Sequence, residues 1–554
     1  MTKRYHGNGG GRRVPPLFFL RRCLQCASLS LFLWLLFNAA WPLPGQWLPQ
    51  DSFLRLDPLA ALATTLAARQ WLPSLAPGLA VLGITLVLGR IFCGWICPFG
   101  ATLDLARALM PRSKNHKNPA PLTQAARLKY VVLTVMLGTA LAGVTTLFWG
   151  SPIPLITRFY ALLIHPLLLL AVDALLSAAR PLLDTLHLTS LSYSHIDARR
   201  FDTLYFLLAF FGLLFILEKF YPHFWCRNLC PAGALLALMS RRPFWRRTVT
   251  ACTHCGRCAR ACPTGAISPD GEHTRHEECL TCQTCVRACP ERLTRFTLQP
   301  LAVPSAQPDQ QAILPSRRAF LGASASGMLL AGVQYNGLHS LLNDNGTILS
   351  PTCIRPPGAV PESRFLTLCL RCGECMKVCP GNALQPAWLA AGTEGMFSPL
   401  LTLRRGPCDP GCAACGQICP TRAIAPLPLA EKQWAKVGTA VVNRQTCLAW
   451  AENRSCVVCQ EVCPYGAVNP VQPEGAAVPM PVVNTAHCFG CGYCECHCPV
   501  RVSAIVIQPL NALRLEGQSY IQAGKAAGLN LNLQIQHESP AAPQDGSLPP
   551  GFND

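Results

Sequence analysis

The sequence predicts a multidomain membrane protein: an α-helical domain of four transmembrane spans, joined to several small α+β modules. Two observations predict it. Half of the 554 residues are hydrophobic and only 14% are charged, a balance suited to membrane spans rather than to a soluble chain. The chain also holds 32 cysteines, and most fall into runs of four in which proline follows the fourth.

The run Cys369-Leu-Arg-Cys372-Gly-Glu-Cys375-Met-Lys-Val-Cys379-Pro380 shows the pattern, C-x2-C-x2-C-x3-C-P. Three thiolates in so short a loop can each reach one iron of a cube. In bacterial two-cluster ferredoxins the fourth cysteine ligates the neighbouring cluster. Structural zinc is usually held by two separated knuckles. Disulfide frameworks belong to small secreted chains. Neither suits a long chain with six such runs, and no C-x-x-C-H haem motif is present. The small modules are therefore expected to be bacterial-type (ferredoxin-like) 2[4Fe-4S] modules, six clusters in all. Outside the runs lie two C-x3-C-P motifs and Cys23, Cys26, Cys353 and Cys496.

Taken in order, residues 1–22 form a basic tail with Lys3, Arg4, Arg12, Arg13, Arg21 and Arg22. The net charge of +19 fits loops obeying the positive-inside rule. Nucleic acid is not an expected partner, because no basic helix or aromatic-basic module occurs. Residues 23–240 form the membrane domain. Its spans are expected near 23–41, 72–92, 130–149 and 203–220, each close to the ~20 residues that cross a bilayer. The stretch Asp51–Arg69 reads as a polar connection. The apolar stretch 152–176 contains His165, Pro166 and Asp173. Basic segments follow Cys97 and Cys230, so parity makes that stretch an interfacial or re-entrant helix rather than a fifth span.

The motifs Cys93-Gly-Trp-Ile-Cys97-Pro98 and Cys226-Arg-Asn-Leu-Cys230-Pro231 end the second and fourth spans as a pseudo-repeat. Their four thiols either hold a further metal centre together, act as redox thiols, or are structural helix-end cysteines.

Residues 241–300 form a ferredoxin on the same side as the basic loops. Its runs are Cys252, Cys255, Cys258, Cys262 and Cys279, Cys282, Cys285, Cys289. Exchange of the fourth cysteine predicts one cluster on Cys252, Cys255, Cys258 and Cys289, and another on Cys279, Cys282, Cys285 and Cys262. Residues 301–335 link this module to the next. They contain Ser316-Arg317-Arg318-Ala319-Phe320-Leu321, a twin-arginine export pattern with a mild apolar segment behind it. No clean cleavage site follows, so the segment is expected to stay as an anchor.

Residues 336–510 hold four runs. The first is Cys369, Cys372, Cys375, Cys379. The second is Cys408, Cys412, Cys415, Cys419. The third is Cys447, Cys456, Cys459, Cys463, and the last is Cys488, Cys491, Cys494, Cys498. Exchange within pairs places Cys419 with the first run, Cys379 with the second, Cys498 with the third and Cys463 with the fourth. Cys496 is read as a spare. Residues 511–554 form a tail whose end is rich in Pro, Gly, Asp and Gln.

Gly89-Arg-Ile-Phe-Cys93-Gly-Trp-Ile-Cys97-Pro98 and the repeated Cys230-Pro231 resemble the NapH membrane subunit of periplasmic nitrate reductase systems. The second half resembles its partner NapG, of the MauM/NapG ferredoxin type, in the twin-arginine pattern, in Arg355-Pro-Pro-Gly-Ala359 and in its four runs. The chain thus resembles a NapH–NapG fusion over nearly its whole length. The resemblance implies a quinol dehydrogenase subunit in the bacterial inner membrane, with quinol as substrate and the quinone pool as partner. It also implies export of the four-cluster domain to the periplasm by the twin-arginine translocase, facing a reductase or cytochrome acceptor. The chain departs from that pattern in carrying its signal internally. The C-x3-C-P motifs are also similar to those of NosR and of the copper-handling CcoG family. The alternative expectation is therefore a CcoG-like redox or copper maturation factor for a terminal oxidase or reductase.

Overall fold

The computed structural model describes residues 16–43, 45, 47–110, 125–147, 150–187, 199–299, 317–335, 353–388, 390–392 and 394–533. The basic residues before Pro16, Arg112 to Lys117, Ser316 and the end of the tail lie outside them. The chain divides into two compact units. The first comprises Met1–Thr402, Cys412–Pro428 and Arg514–Glu516; the second comprises Leu403–Gly411, Leu429–Leu513 and Gly517–Asp554.

The helical part of the first unit contains α1 (Pro16–Asn38), α2 (Pro58–Ala68), α3 (Ala76–Leu88), α4 (Pro98–Leu109) and α5 (Ala125–Leu141). After these come α6 (Pro152–Arg158), α7 (His165–Thr185), α8 (Leu204–Phe220), α9 (Pro231–Met239) and α10 (Arg317–Tyr335). Among the described residues, two helical stretches are long and apolar enough to cross a membrane, Pro16–Asn38 and Pro152–Pro181. The other expected spans form shorter helices. Gly89, at φ 71°, ends α3, and α5 stops at Leu141, before the turn at Gly143.

Asp51–Arg69 is not the expected polar connection. Pro58 starts α2, and the Asp57 carboxylate accepts the N–H groups of Leu59 and Ala60 at 3.0 and 3.1 Å. Its Ala and Leu side chains are buried almost throughout. With Asp57 spent on the cap, α2 itself carries no charged residue.

Two small modules lie at opposite ends of α1. The first pairs β1 (Trp245–Val249) with β2 (Thr294–Leu298) antiparallel, in the register Arg247↔Phe296. Its Arg287 stacks over the Phe18 ring at 4.4 Å. The second pairs β3 (Leu384–Pro386) with β4 (Pro399–Leu401). Its Lys377 donates to the Phe37 and Ala39 carbonyls at 2.9 and 2.6 Å. From Phe18 to Phe37 a helix rises about 28 Å, close to the ~30 Å hydrocarbon core of a bilayer.

The Pro152 stretch is one continuous helical run whose start packs in the bundle. Ser151 donates to Asp57 at 2.5 Å, and Gly150 lies against Pro231. Farther on, Leu162 packs on Gly373 of the second module. That module also takes the Thr145 carbonyl, through Arg371 at 2.8 Å. The run through α7 is unbroken and has the length of a span, so it does not fold back as the expected re-entrant helix would.

α10 packs along α5. A Cβ on Gly327 would come within 2.7 Å of the Val135 carbonyl, and one on Gly138 within 3.3 Å of the Ser324 carbonyl. Only glycine lets the two backbones approach this closely.

The second unit is built on two antiparallel pairs. β5 (Thr439–Val442) pairs with β8 (Ile505–Gln508), and β6 (Val468–Val471) pairs with β7 (Met480–Val483).

Candidate iron–sulfur centres

Each ferredoxin run starts in a loop and ends on a short helix. In the Cys252 run the helix is Arg257–Ala261, entered through Gly256 at φ 64°. In the Cys369 run it is Glu374–Val378, entered through Gly373 at φ 86°. The left-handed residue turns the loop back, so that its thiols converge before the helix carries the fourth cysteine away.

Four cavities follow, and each gathers four cysteines in the crossed pattern. Cys369, Cys372, Cys375 and Cys419 line one; Cys447, Cys456, Cys459 and Cys498 line another. A third is lined by Cys463, Cys488, Cys491 and Cys494, and a fourth by Cys262, Cys279, Cys282 and Cys285. Among the described residues, no three thiols have their sulfurs all within 4.8 Å of one another. A single zinc ion with ~2.3 Å Zn–S bonds would draw its thiols to about 4 Å. The wider spacing fits an iron–sulfur cube held at its corners.

The electrostatics show the same exchange. Burial pushes the Cys279 thiol up to about 12, and the neighbouring Cys282 and Cys262 add to the shift. Cys459 is likewise pushed up to about 12 by burial and then by Cys456 and Cys447, with Cys498 also in reach. Four such thiols ionise together only against a cation, and cluster iron supplies one. The remaining sets are seen in part. Cys252 and Cys258 lie against Gly271, and Cys258 interacts with Cys252 and Cys255. Cys412 packs with Val378 in the first unit, whereas the Cys408 N–H donates to the Cys491 carbonyl in the second.

The leftover cysteines separate by environment. Cys496 lines none of the four cavities, Cys353 is a core residue beside Ala387 and Leu400, and Cys23 and Cys26 are exposed on α1. Sequence reasoning missed the docking residues. Glu278 receives Lys129 at 2.5 Å and Arg90 at 3.3 Å, all three buried. Arg364 donates to the Ala68 carbonyl at 2.8 Å. Nothing in local spacing marks these partners, which lie more than a hundred residues apart.

The C-x3-C-P motifs repeat in structure as in sequence. Phe92–Ile96 and Trp225–Leu229 are π-helical turns, closed by Cys97 N–H to Phe92 O and Cys230 N–H to Trp225 O, both 2.9 Å. Cys97 and Cys230 then head α4 and α9, with proline at the first position of each. The structure brings the four thiols within electrostatic reach of one another.

Comparison with known proteins agrees on the chemistry. A family described as a 4Fe-4S binding domain matches residues 70–116 and 203–248, a 4Fe-4S dicluster domain matches 251–295, and a second 4Fe-4S binding domain matches 365–385. The methylamine utilization ferredoxin-type protein MauM of Methylobacillus flagellatus is 38% identical over 28% of this chain and 69% of its own. MauM of Methylorubrum extorquens is 34% identical over 38% of this chain and 97% of its own. The ferredoxin-type protein NapG of Escherichia coli is 30% identical over 39% and 94%. No solved structure matches.

Proposed function

Because this chain belongs to the ferredoxin-type family of MauM and NapG, we propose that it is a membrane-bound electron-transfer protein. It takes electrons from membrane quinol and delivers them to a periplasmic acceptor, such as a nitrate-reductase-type system. Residues 23–240 act as the NapH-type portion and the four-cluster region as the NapG-type portion. The observation that carries the reading is the separation of two cysteine modules by the length of α1, with Arg287 on Phe18 at one end and Lys377 on Phe37 at the other. A bilayer core fits between them.

Topology follows from continuity. We assign the crossings to α1, α3, α5 and α8, with the continuous Pro152–Pro181 helix lying at the periplasmic face. The chain must cross once more between Leu298 and Cys353, and α10 is the described helix there. Its 19 residues rise about 28 Å. Packed on α5 through Gly138 and Gly327, α10 is a retained crossing helix rather than a cleaved signal.

The bound clusters supply one-electron storage at each cysteine set. The chain's own residues hold the sets in place. Glu278 fixes the cytoplasmic module to the ends of α3 and α5, and Lys377, Arg371 and Arg364 fix the periplasmic one. Protein atoms close over Cys369 and Cys372, which keeps water from their sulfurs.

The test joins sidedness to chemistry. A C-terminal epitope tag should be digested in intact spheroplasts, and a quinol analogue should bleach the visible absorbance of the purified chain under anaerobic conditions. Protection of the tag until lysis would sink the periplasmic assignment; a chain left oxidised by quinol would sink the donor.

A further inference from the structure

We propose that Cys93, Cys97, Cys226 and Cys230 together hold one further [4Fe-4S] cluster inside the helical bundle, linking the modules at its two ends. The inference rests on the transmembrane relay above, but its evidence is local.

Neither C-x3-C-P motif suffices alone. Each matched 4Fe-4S binding segment, 70–116 and 203–248, brings only two of the four thiols. The fold supplies the other half: Cys97 interacts with Cys93 and Cys230, and Cys226 with Cys230, Cys97 and Cys93. No three of these sulfurs come within 4.8 Å of one another, the same openness as in the ferredoxin sets and wider than a single ion requires.

The surroundings suit an anionic cluster. Cys97 and Cys230 head helices of 12 and 9 residues, where N–H groups and the helix dipole favour negative charge. The Gly233 N–H donates to the Cys230 sulfur at 3.2 Å. N–H donors to sulfur are one of the ways a protein tunes such a cluster.

Arg90 is the independent observation. It is 1% exposed, and its Nη2 would stand 2.8 Å from a Cβ on Gly233. Both Cys93 and Cys230 act on its charge. Glu278 takes its Nη1 at 3.3 Å, while its Nε has no hydrogen-bond partner in the protein. A cation buried beside Cys93 and Cys230, with one donor unspent, is arranged for an anion that the thiols alone do not complete.

Position gives the site its role. On one side, Gly94 lies directly against the Leu280 carbonyl, next to Cys279 and its cluster set. On the other, Cys230 interacts with Asp57 at the start of α2. The far end of α2 reaches Cys369, since Ala68 packs in the same core cluster. α2 rises about 15 Å between these points, roughly half the distance between the modules. The centre accepts one electron from one neighbour and gives one to the other. No bond is made or broken and no proton is needed; quinol is the reductant.

The experiment is iron and acid-labile sulfide content, with EPR, on the full chain purified anaerobically in detergent. Cys97→Ser combined with Cys230→Ser should lose about four irons and four sulfides per chain and keep the ferredoxin signals. Unchanged iron would overturn the proposal. If the double variant loses all its iron through misfolding, the wild-type chain decides. All four thiols should resist a small maleimide in the iron-replete state and react once a chelator and an oxidant strip the iron. Labelling of any of them before stripping, or a disulfide among them, overturns it. Iron content is independent of the donor, so a failed quinol assay beside a loss of four irons would reject quinol and leave the cluster standing.

Discussion

The two ends of the helical bundle hold their modules by different means. At the N-terminal end of α1 the contact is an ion cluster: Glu278 lies between Lys129 and Arg90, with the Tyr130 hydroxyl at 3.4 Å. At the C-terminal end the module presents cations to backbone carbonyls instead. Lys377 meets Phe37 and Ala39, Arg364 meets Ala68, and Arg371 meets Thr145. Helix ends explain part of the contrast. α1 and α2 finish at that end with unpaired carbonyls and the negative pole of the dipole, which Lys and Arg satisfy. At the other end the module brings a carboxylate to cations that are already buried, and the bundle's Arg90 and Trp95 donate to its Glu277 and Thr281 carbonyls.

The largest way to break this comparison is Glu278→Ala. It strands two buried cations, a loss of about 3–5 kcal/mol. The expected result is release of residues 251–298 to limited proteolysis while the 353–428 region stays protected. Equal sensitivity of both regions would mean the two ends are not held independently.

Lys377→Met tests the opposite end. It leaves the Phe37 and Ala39 carbonyls unpaired, for about 1–3 kcal/mol, read as a lower melting temperature in detergent. Raised salt should leave the Glu278 variant's deficit nearly unchanged, because buried charges are weakly screened.

A smaller effect sharpens the comparison through pH. Burial, helped by Arg246 and Arg247, holds His276 down to about 4 from 6.5. The folded state therefore resists a proton that the unfolded state accepts. Stability should fall as pH drops from 6.5 towards 4 and be flat above that window. His276→Gln should remove that slope from the thermal unfolding of the 251–298 module and leave the other module's pH response as it was.

The crossed cysteines offer a third contrast, between what a run holds locally and what it lends. Cys498→Ser should remove the EPR signal of the Cys447, Cys456 and Cys459 set, although in sequence Cys498 closes the Cys488 run. Loss of the Cys488 set instead would mean uncrossed ligation.

Much of this was legible before any coordinates, because a C-x2-C-x2-C loop closes on itself. Its thiols sit within one turn of chain, and the left-handed Gly256 and Gly373 need no distant partner. Cys496 could not be placed so easily, since spacing alone allowed it to compete with Cys494 or Cys498. The cavities resolve this by including both neighbours and leaving Cys496 out. The Asp51–Arg69 segment reads as a polar connection from its two aspartates and two arginines, whereas Asp57 is consumed in capping α2 and hydrogen-bonding Ser151.

The sequence by itself determined the iron–sulfur chemistry, the six runs and the paired C-x3-C-P motifs, since ligand type and spacing are local properties of the chain. Only the tertiary structure decided that the two motifs meet, and that Glu278 and Lys377 anchor modules a helix-length apart. Those contacts join residues tens to hundreds of positions distant. Burial and backbone carbonyls choose such partners, and neither is written in the spacing of a motif.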